Sequence, residues 1–320
     1  MWGDVNKIQQ AALYNKQKQM IIVVGATGNL GERIVKALLK KEAYVKAIVR
    51  ENTAPKKINH LKQLGAHVQL IDMANVDELS KAMLGGRCIV SALSGLRDVI
   101  IDAQKIVLEA AIKAGVPRFI PSDYSLDFTP FNDGENRNLD WRREFHEHLN
   151  KQPIKATSIF NGAFADMLTG QMPLLLFKQK RVLYWGKKNH PMCFTTMDDT
   201  ATYTAHVALD DHAPRYLRIA GDVKSPEELK QVIEELSSET YKFYRPGGLN
   251  LLSGIIKIAR FVEPGKEKLY PAWQGMQYMR NMIDDRALIN QLDNHRYAEM
   301  KWTSAKDVLA PHQAGLHHQK

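Results

Sequence analysis

The chain has 320 residues, 44% of them hydrophobic, and a formal net charge of +9, enough for the core of a globular α/β protein. No apolar run approaches the roughly 20 residues that span a bilayer, and residues 1–19 lack the apolar segment of a secretory signal. Two cysteines, Cys88 and Cys193, provide neither a disulfide framework nor a cysteine-rich zinc site, which fits a reduced, cytoplasmic protein.

Residues 1–19 read as a polar N-terminal extension. Met20–Val24 then forms a short apolar strand that runs into a turn with Gly25, Gly28 and Gly31, followed by a helical pattern near 30–41. Strand, glycine turn and helix are the parts of a dinucleotide pocket, in which helix N-terminal amides face a pyrophosphate. Gly25 lets the chain turn sharply, Gly28 admits the phosphates, and Gly31 allows helix and sheet to pack closely. Thr27, Asn29 and Leu30 complete the expected cofactor-binding turn.

Further strands are expected at 44–49, 67–71, 88–92 and 118–120, with helices near 56–64, 76–84, 97–114 and 138–150. A sixth strand is expected at 154–160. This alternation predicts a doubly wound parallel sheet, a Rossmann-type domain over 20–160, because each crossover returns the chain to the same end. Gly65 and Gly115 stand where helix C-caps belong.

Beyond residue 160 the alternation becomes irregular. A helix at 162–170, a loop or short strand at 181–186, a strand at 192–196 and a helix at 198–210 are expected. A strand at 215–220 and a helix begun by Ser225-Pro226-Glu227-Glu228 follow. Residues 240–310 read as helices broken at 246–248. Segment 161–310 is therefore expected to be a smaller, mainly helical substrate-binding region. Residues 311–320 read as a loose tail whose histidines lack partners for a metal, and no metal site is expected.

Arg50 ends the second strand, where an NAD site favours an acid for the ribose 2′-hydroxyl. Arginine instead pairs with a 2′-phosphate through its planar fork of donors. Lys56 and Lys57 add charge nearby, so NADP(H) is expected over NAD(H); a solvated strand-end arginine is the alternative. Asp72 and Met73 follow the third strand near the expected adenine edge. Ser91, Ala92 and Leu93 follow the fourth, on the path toward the nicotinamide ribose. The bases are dispersed among acids, so no nucleic-acid footprint is expected, and no membrane partner.

GATGNLG, Arg50, AAIKAGVPRFIPSDYSLDF (110–128), NGAFADML (161–168) and FTTMDDTATY (194–203) occur in order. Together they resemble the NmrA-like and isoflavone-reductase-like branch of the atypical short-chain dehydrogenases, over about residues 20–240. The resemblance implies NADP(H) binding. It further implies one of two functions: reduction of aromatic or phenylpropanoid compounds, or cofactor sensing that regulates a protein partner without turnover.

Reductases of this group carry a lysine on the helix after a PSEFG-like loop; the corresponding position here is Arg142. Arginine is a poor proton donor but can hold an anionic intermediate. A Tyr-x-x-x-Lys pair is also absent, since Phe128 stands four residues after Tyr124. Tyr124 and His146 are the remaining candidates for acid catalysis, the alternatives being a tyrosine packed at its loop and a surface histidine on an amphipathic helix. His146 shares a helix face with Arg142 and Arg143, and Asp123 is placed to orient either group or to cap its loop. Phe164, Trp185, Met192, Phe194 and the cluster at 273–279 suit either an aromatic substrate or a core.

Overall fold

A computed structural model describes residues 20–289 and 291–317. The N-terminal extension and the last three residues of the expected tail lie outside them. The described chain forms two compact units. One comprises the chain up to Asp123, Trp141–Ser158 and Ala201–Tyr216; the other comprises Tyr124–Asp140, Ile159–Thr200 and Leu217 onward.

The first unit holds six strands: β1 (Met20–Val24), β2 (Tyr44–Arg50), β3 (His67–Ile71), β4 (Cys88–Ser91), β5 (Arg118–Ile120) and β6 (Lys155–Ala156). They pair in parallel in the order β3-β2-β1-β4-β5-β6. Helices α1 (Asn29–Lys40), α2 (Pro55–Leu64) and α3 (Val76–Met83) are the crossovers of the first four strands. This is the α/β architecture expected from the alternation, and it brings the C-terminal ends of the strands to one edge.

The next crossover differs from the single helix expected at 97–114. A π-helical segment, Asp98–Ala103, leads into α4, Gln104–Lys113. The final helix beside the sheet, α5, spans Arg137–Leu149. Phe145 and Leu149 on α5 bury themselves in a cluster with Ile22, Ile89, Val107 and Phe119. The Phe119 and Phe145 rings lie 6.3 Å apart. Burying a large apolar side chain contributes about 1.5–3 kcal/mol, so Phe145 anchors the helix that carries Arg142 and His146.

The expected strand at 154–160 is split. Thr157 still donates its N–H to the Phe119 carbonyl, but Ser158 donates to Arg215 instead. Residues Ser158–Phe160 therefore form a separate strand, β7, paired with β12 (Tyr216–Arg218).

In the second unit, the helix expected at 162–170 is a short strand, β8 (Ala163–Phe164), and a 3-10 turn at Ala165–Thr169. Gly162 has φ +67° and packs against the Cys193 carbonyl too closely for any Cβ. That approach pairs β8 in parallel with β11 (Met192–Thr195). β9 (Leu175–Leu176), β10 (Arg181–Leu183) and β14 (Lys242–Tyr244) make a second small sheet, and β13 (Asp222–Lys224) joins β11.

Helix α6 (Met197–Leu209) starts behind Thr196, whose hydroxyl accepts the Asp199 N–H. Helix α7 (Pro226–Ser237) begins with the anticipated Ser225 cap, and Glu228 closes a capping box. Helices α8 (Leu249–Val262), α9 (Ala272–Met282) and α10 (Ala305–His317) complete the unit. The tail expected to be loose from residue 311 is helical through His317, with Gln313 buried.

Candidate active site

The glycine turn stands at the C-terminal end of β1. Gly25 has φ +85°, and a Cβ there would lie 2.6 Å from the Ala92 carbonyl oxygen. Ala92 in turn donates its N–H to the Val24 carbonyl, 2.8 Å away, which fixes the ends of β1 and β4 together. A Cβ on Gly31 would collide with the Gly25 carbonyl. Gly28 is the N-cap of α1 and supplies no side chain to cap it. The amides of Asn29, Leu30 and Gly31 thus begin a helix whose first-turn donors await an acceptor. The turn fits a pyrophosphate, as glycines let the backbone close tightly beside a helix N-terminus that favours an anion.

The other cofactor candidates lie along the same edge. Arg50 is exposed at the end of β2, in register with Ile71 at the end of β3. Lys57 brings its Nζ to 3.5 Å from the Thr27 carbonyl, setting a second cation beside the turn. Asp72 accepts the Ala74 N–H and closes a tight turn after β3. Met73 is half-buried against the core of the sheet. Ser91, at the end of β4, is fully buried, and its hydroxyl has no hydrogen-bond partner among the described residues. A ligand hydroxyl or amide at this edge would satisfy it.

Beyond β4 and β5 lies a dense polar group. Ser122 donates its hydroxyl to the Leu93 carbonyl at 2.6 Å. Arg142 donates its Nε to the carbonyls of Ser122 (3.2 Å) and Asp123 (3.1 Å). Asp123 is buried, and its Oδ2 lies 2.7 Å from His146 Nε2. Ser158 Oγ is 3.2 Å from the same nitrogen and accepts from Arg215 at 2.6 Å. Burial works against a charge on Asp123. The cation of His146 and its hydrogen bond, with Ser158 and Arg142 behind them, nonetheless hold its carboxyl below the usual carboxylate range.

The structure brings Arg142 and His146 to one loop, Ser122–Asp123. Sequence reasoning placed both residues on one helix face but missed that Ser122, Ser158 and Gln104 complete the group. Of the alternatives open for Asp123, the structure shows orientation of His146. Tyr124, the next residue in the chain, is buried and opens the segment of the second unit.

Phe128 stacks edge-on against Phe160, with ring centroids 5.2 Å apart. An apolar contact thus occupies the position where a tyrosine–lysine pair would need a cation. Met192, Phe194, Trp273 and Met279 are buried in the second unit, whereas Phe164 and Trp185 are half-buried. The amides of Gln274 and Asn281 grip Asn136, and the Tyr278 hydroxyl joins the Leu126 N–H to the Gly162 carbonyl. The 273–279 cluster is therefore largely a structural brace.

Among the described residues, no group of three or more His, Cys, Asp or Glu side chains is arranged to hold a metal ion. No described helix is long and apolar enough to cross a membrane.

Pinoresinol reductase 1 of Arabidopsis thaliana is 30% identical over 245 residues, covering 70% of this chain and 76% of that one. A solved structure described as AtPrR2 with NADP+ and (+)pinoresinol superposes with a TM-score of 0.79 at 22% identity, over 92% of this chain and 98% of that one. The crystal structure of an isoflavone reductase gives 0.78 at 18% identity, over 92% and 99%. The model of the NmrA-like family matches residues 17–300, and the chain belongs to that family.

Proposed function

We propose that this protein is an NADPH-dependent reductase acting on a small aromatic or conjugated carbonyl-type compound. The observation that carries the reading is the group Ser122–Asp123–Arg142–His146 at the C-terminal ends of β4 and β5. It shares the sheet edge with the glycine turn, where open α/β sheets bind their ligands. NADPH, when bound, supplies the hydride. Gly25, Thr27, Gly28, Asn29, Leu30 and Gly31 would hold the pyrophosphate, with Arg50 and Lys57 on the 2′-phosphate. Asp72 and Met73 would flank the adenine; Ser91, Ala92 and Leu93 would run toward the nicotinamide ribose.

Reduction of a carbonyl or enone leaves negative charge that a proton must quench. The Tyr124 hydroxyl, or a water held near Arg142 and His146, supplies that proton in this reading. The Nε2 of His146 faces Asp123, which fixes the orientation of the ring. Arg142 keeps a permanent positive charge beside the loop and stabilises developing anion without giving up a proton. Names of relatives such as pinoresinol reductase support an aromatic substrate.

The test is NADPH oxidation, followed across aromatic aldehydes, ketones and enones, in the wild type, Tyr124→Phe and Arg142→Ala. Turnover of a panel member, lowered in both variants, is expected. One observation favours a second reading, a non-catalytic NADP(H) sensor acting on a protein partner. The family resemblance sets Arg142 where the reductases carry a lysine, and its Nε is engaged by two backbone carbonyls. Tight NADPH binding with no turnover across the panel would favour that reading.

A further inference from the structure

Gln104 opens α4 immediately after the π-helical segment, and it is almost fully buried. In a π-turn each carbonyl reaches for the N–H five residues on, where an α-helix uses four. The Ile100 carbonyl sits in that segment, and the Gln104 side chain donates Nε2 to it at 2.9 Å. The other end of the same carboxamide accepts the Ser122 N–H at 2.8 Å. One buried amide thus joins the π-turn to the loop after β5.

Ser122 is held from three directions. Its N–H goes to Gln104, its hydroxyl to the Leu93 carbonyl, and its own carbonyl receives Arg142 Nε. A loop residue is ordinarily solvated and mobile; this one is buried, with its hydroxyl and both backbone polar groups engaged. The restraint falls where the ends of β4 and β5 lie side by side, with β4 between β5 and the strand that carries the glycine turn.

We infer that Gln104 and Ser122 form a latch that positions the loop receiving the nicotinamide half of the nucleotide. Gln104 acts through Ser122 and is a positioning residue. The inference rests on the NADP(H) reading above but not on turnover. The latch shapes one half of the site only. Ligands that lack nicotinamide, such as 2′,5′-ADP, should not sense it, whereas NADPH should.

The test compares binding of NADPH and 2′,5′-ADP to the full chain and to Gln104→Met, Ser122→Ala and Ser122→Thr, with hydrogen exchange of residues 121–124 in the nucleotide-free proteins. Gln104→Met and Ser122→Ala should weaken NADPH by about tenfold, the scale of one lost hydrogen bond. Their 2′,5′-ADP affinity should stay within about twofold, and the fluorescence enhancement of bound NADPH should fall. Ser122→Thr keeps the hydroxyl and should restore NADPH binding. Gln104→Met should also speed exchange of the Ser122 amide.

Equal losses for both nucleotides would reduce Gln104 to a general packing residue and overturn the latch. Unchanged NADPH binding with unchanged exchange in a folded Gln104→Met would overturn it as well. If that variant fails to fold, the Ser122 pair decides by the same criteria. A wild type that binds neither nucleotide overturns the cofactor reading and the latch's nicotinamide role; the exchange result then tells whether Gln104 holds the loop at all.

Discussion

His146 Nε2 lies 2.7 Å from Asp123 Oδ2, and both side chains are almost completely buried. The pair connects α5 to the loop after β5. Removing the histidine would leave a buried carboxylate short of its main hydrogen-bond partner, a change that costs about 1–3 kcal/mol. His146→Ala should therefore be destabilised by that order in urea unfolding. Asp123→Asn combined with His146→Ala should cost less than the sum of the two.

The same pair sets a pH dependence. The folded-state pKa of Asp123 is depressed below its ordinary value of 3.8. The unfolded chain therefore binds the proton more readily, and the stabilisation is complete only above that value. It is lost as pH falls through the lower folded value. Thermal melts should show wild-type Tm dropping more steeply below pH 3.8 than the Tm of Asp123→Asn. Parallel curves would remove Asp123 from the acid response.

Glycine substitutions in the turn should separate folding from binding. Gly31→Ala places a methyl group against the Gly25 carbonyl, and such overpacking costs about 1–3 kcal/mol. At Gly28 the nearest atom to an added Cβ is 3.3 Å away and φ is −84°. Gly28→Ala should keep most of the Tm and lose nucleotide affinity, whereas Gly31→Ala should lose both.

Arg50 is expected to act on the 2′-phosphate alone. Arg50→Ala should weaken NADPH by about tenfold or more, the scale of a charge-assisted hydrogen bond, with little change for NADH. Equal weakening of both nucleotides, measured by fluorescence titration, would count against a phosphate contact.

Neither thiol is built for reactivity. Burial pushes Cys88 up to about 12 and Cys193 up to about 11, so at pH 8 almost no thiolate is present. Labelling with a disulfide reagent at that pH should be slow in the folded protein and fast for both cysteines in denaturant. Rapid labelling of native protein would contradict the burial.

The glycine turn is legible in the sequence because local chemistry dictates it. Gly25 and Gly31 stand where the backbone closes on itself, and no other residue fits there. The sheet is legible for a similar reason, since short apolar runs separated by amphipathic helices have few other solutions. The polar group around Asp123 is legible only in part. Arg142 and His146 share a helix face, which the spacing gives, but Asp123 meets His146 through tertiary packing that no periodicity encodes. Gln104 was hidden because 97–114 reads as one continuous helix, and nothing local marks the π-turn or the return of its amide to the Ile100 carbonyl. The split at Thr157–Ser158 was equally silent: IKATSIF carries no glycine or proline, and pairing with the distant strand Tyr216–Arg218 draws Ser158 away.

The most direct test of the reductase reading is transfer of label from NADPH deuterated at both C4 positions. Incubated with aromatic enones, aldehydes and ketones, the protein should yield a reduced product carrying one deuterium on carbon, detected by mass spectrometry, with NADP+ formed in equal amount. Saturating NADPH binding with no deuterium in any product would contradict the account and leave a protein that holds the cofactor without using it.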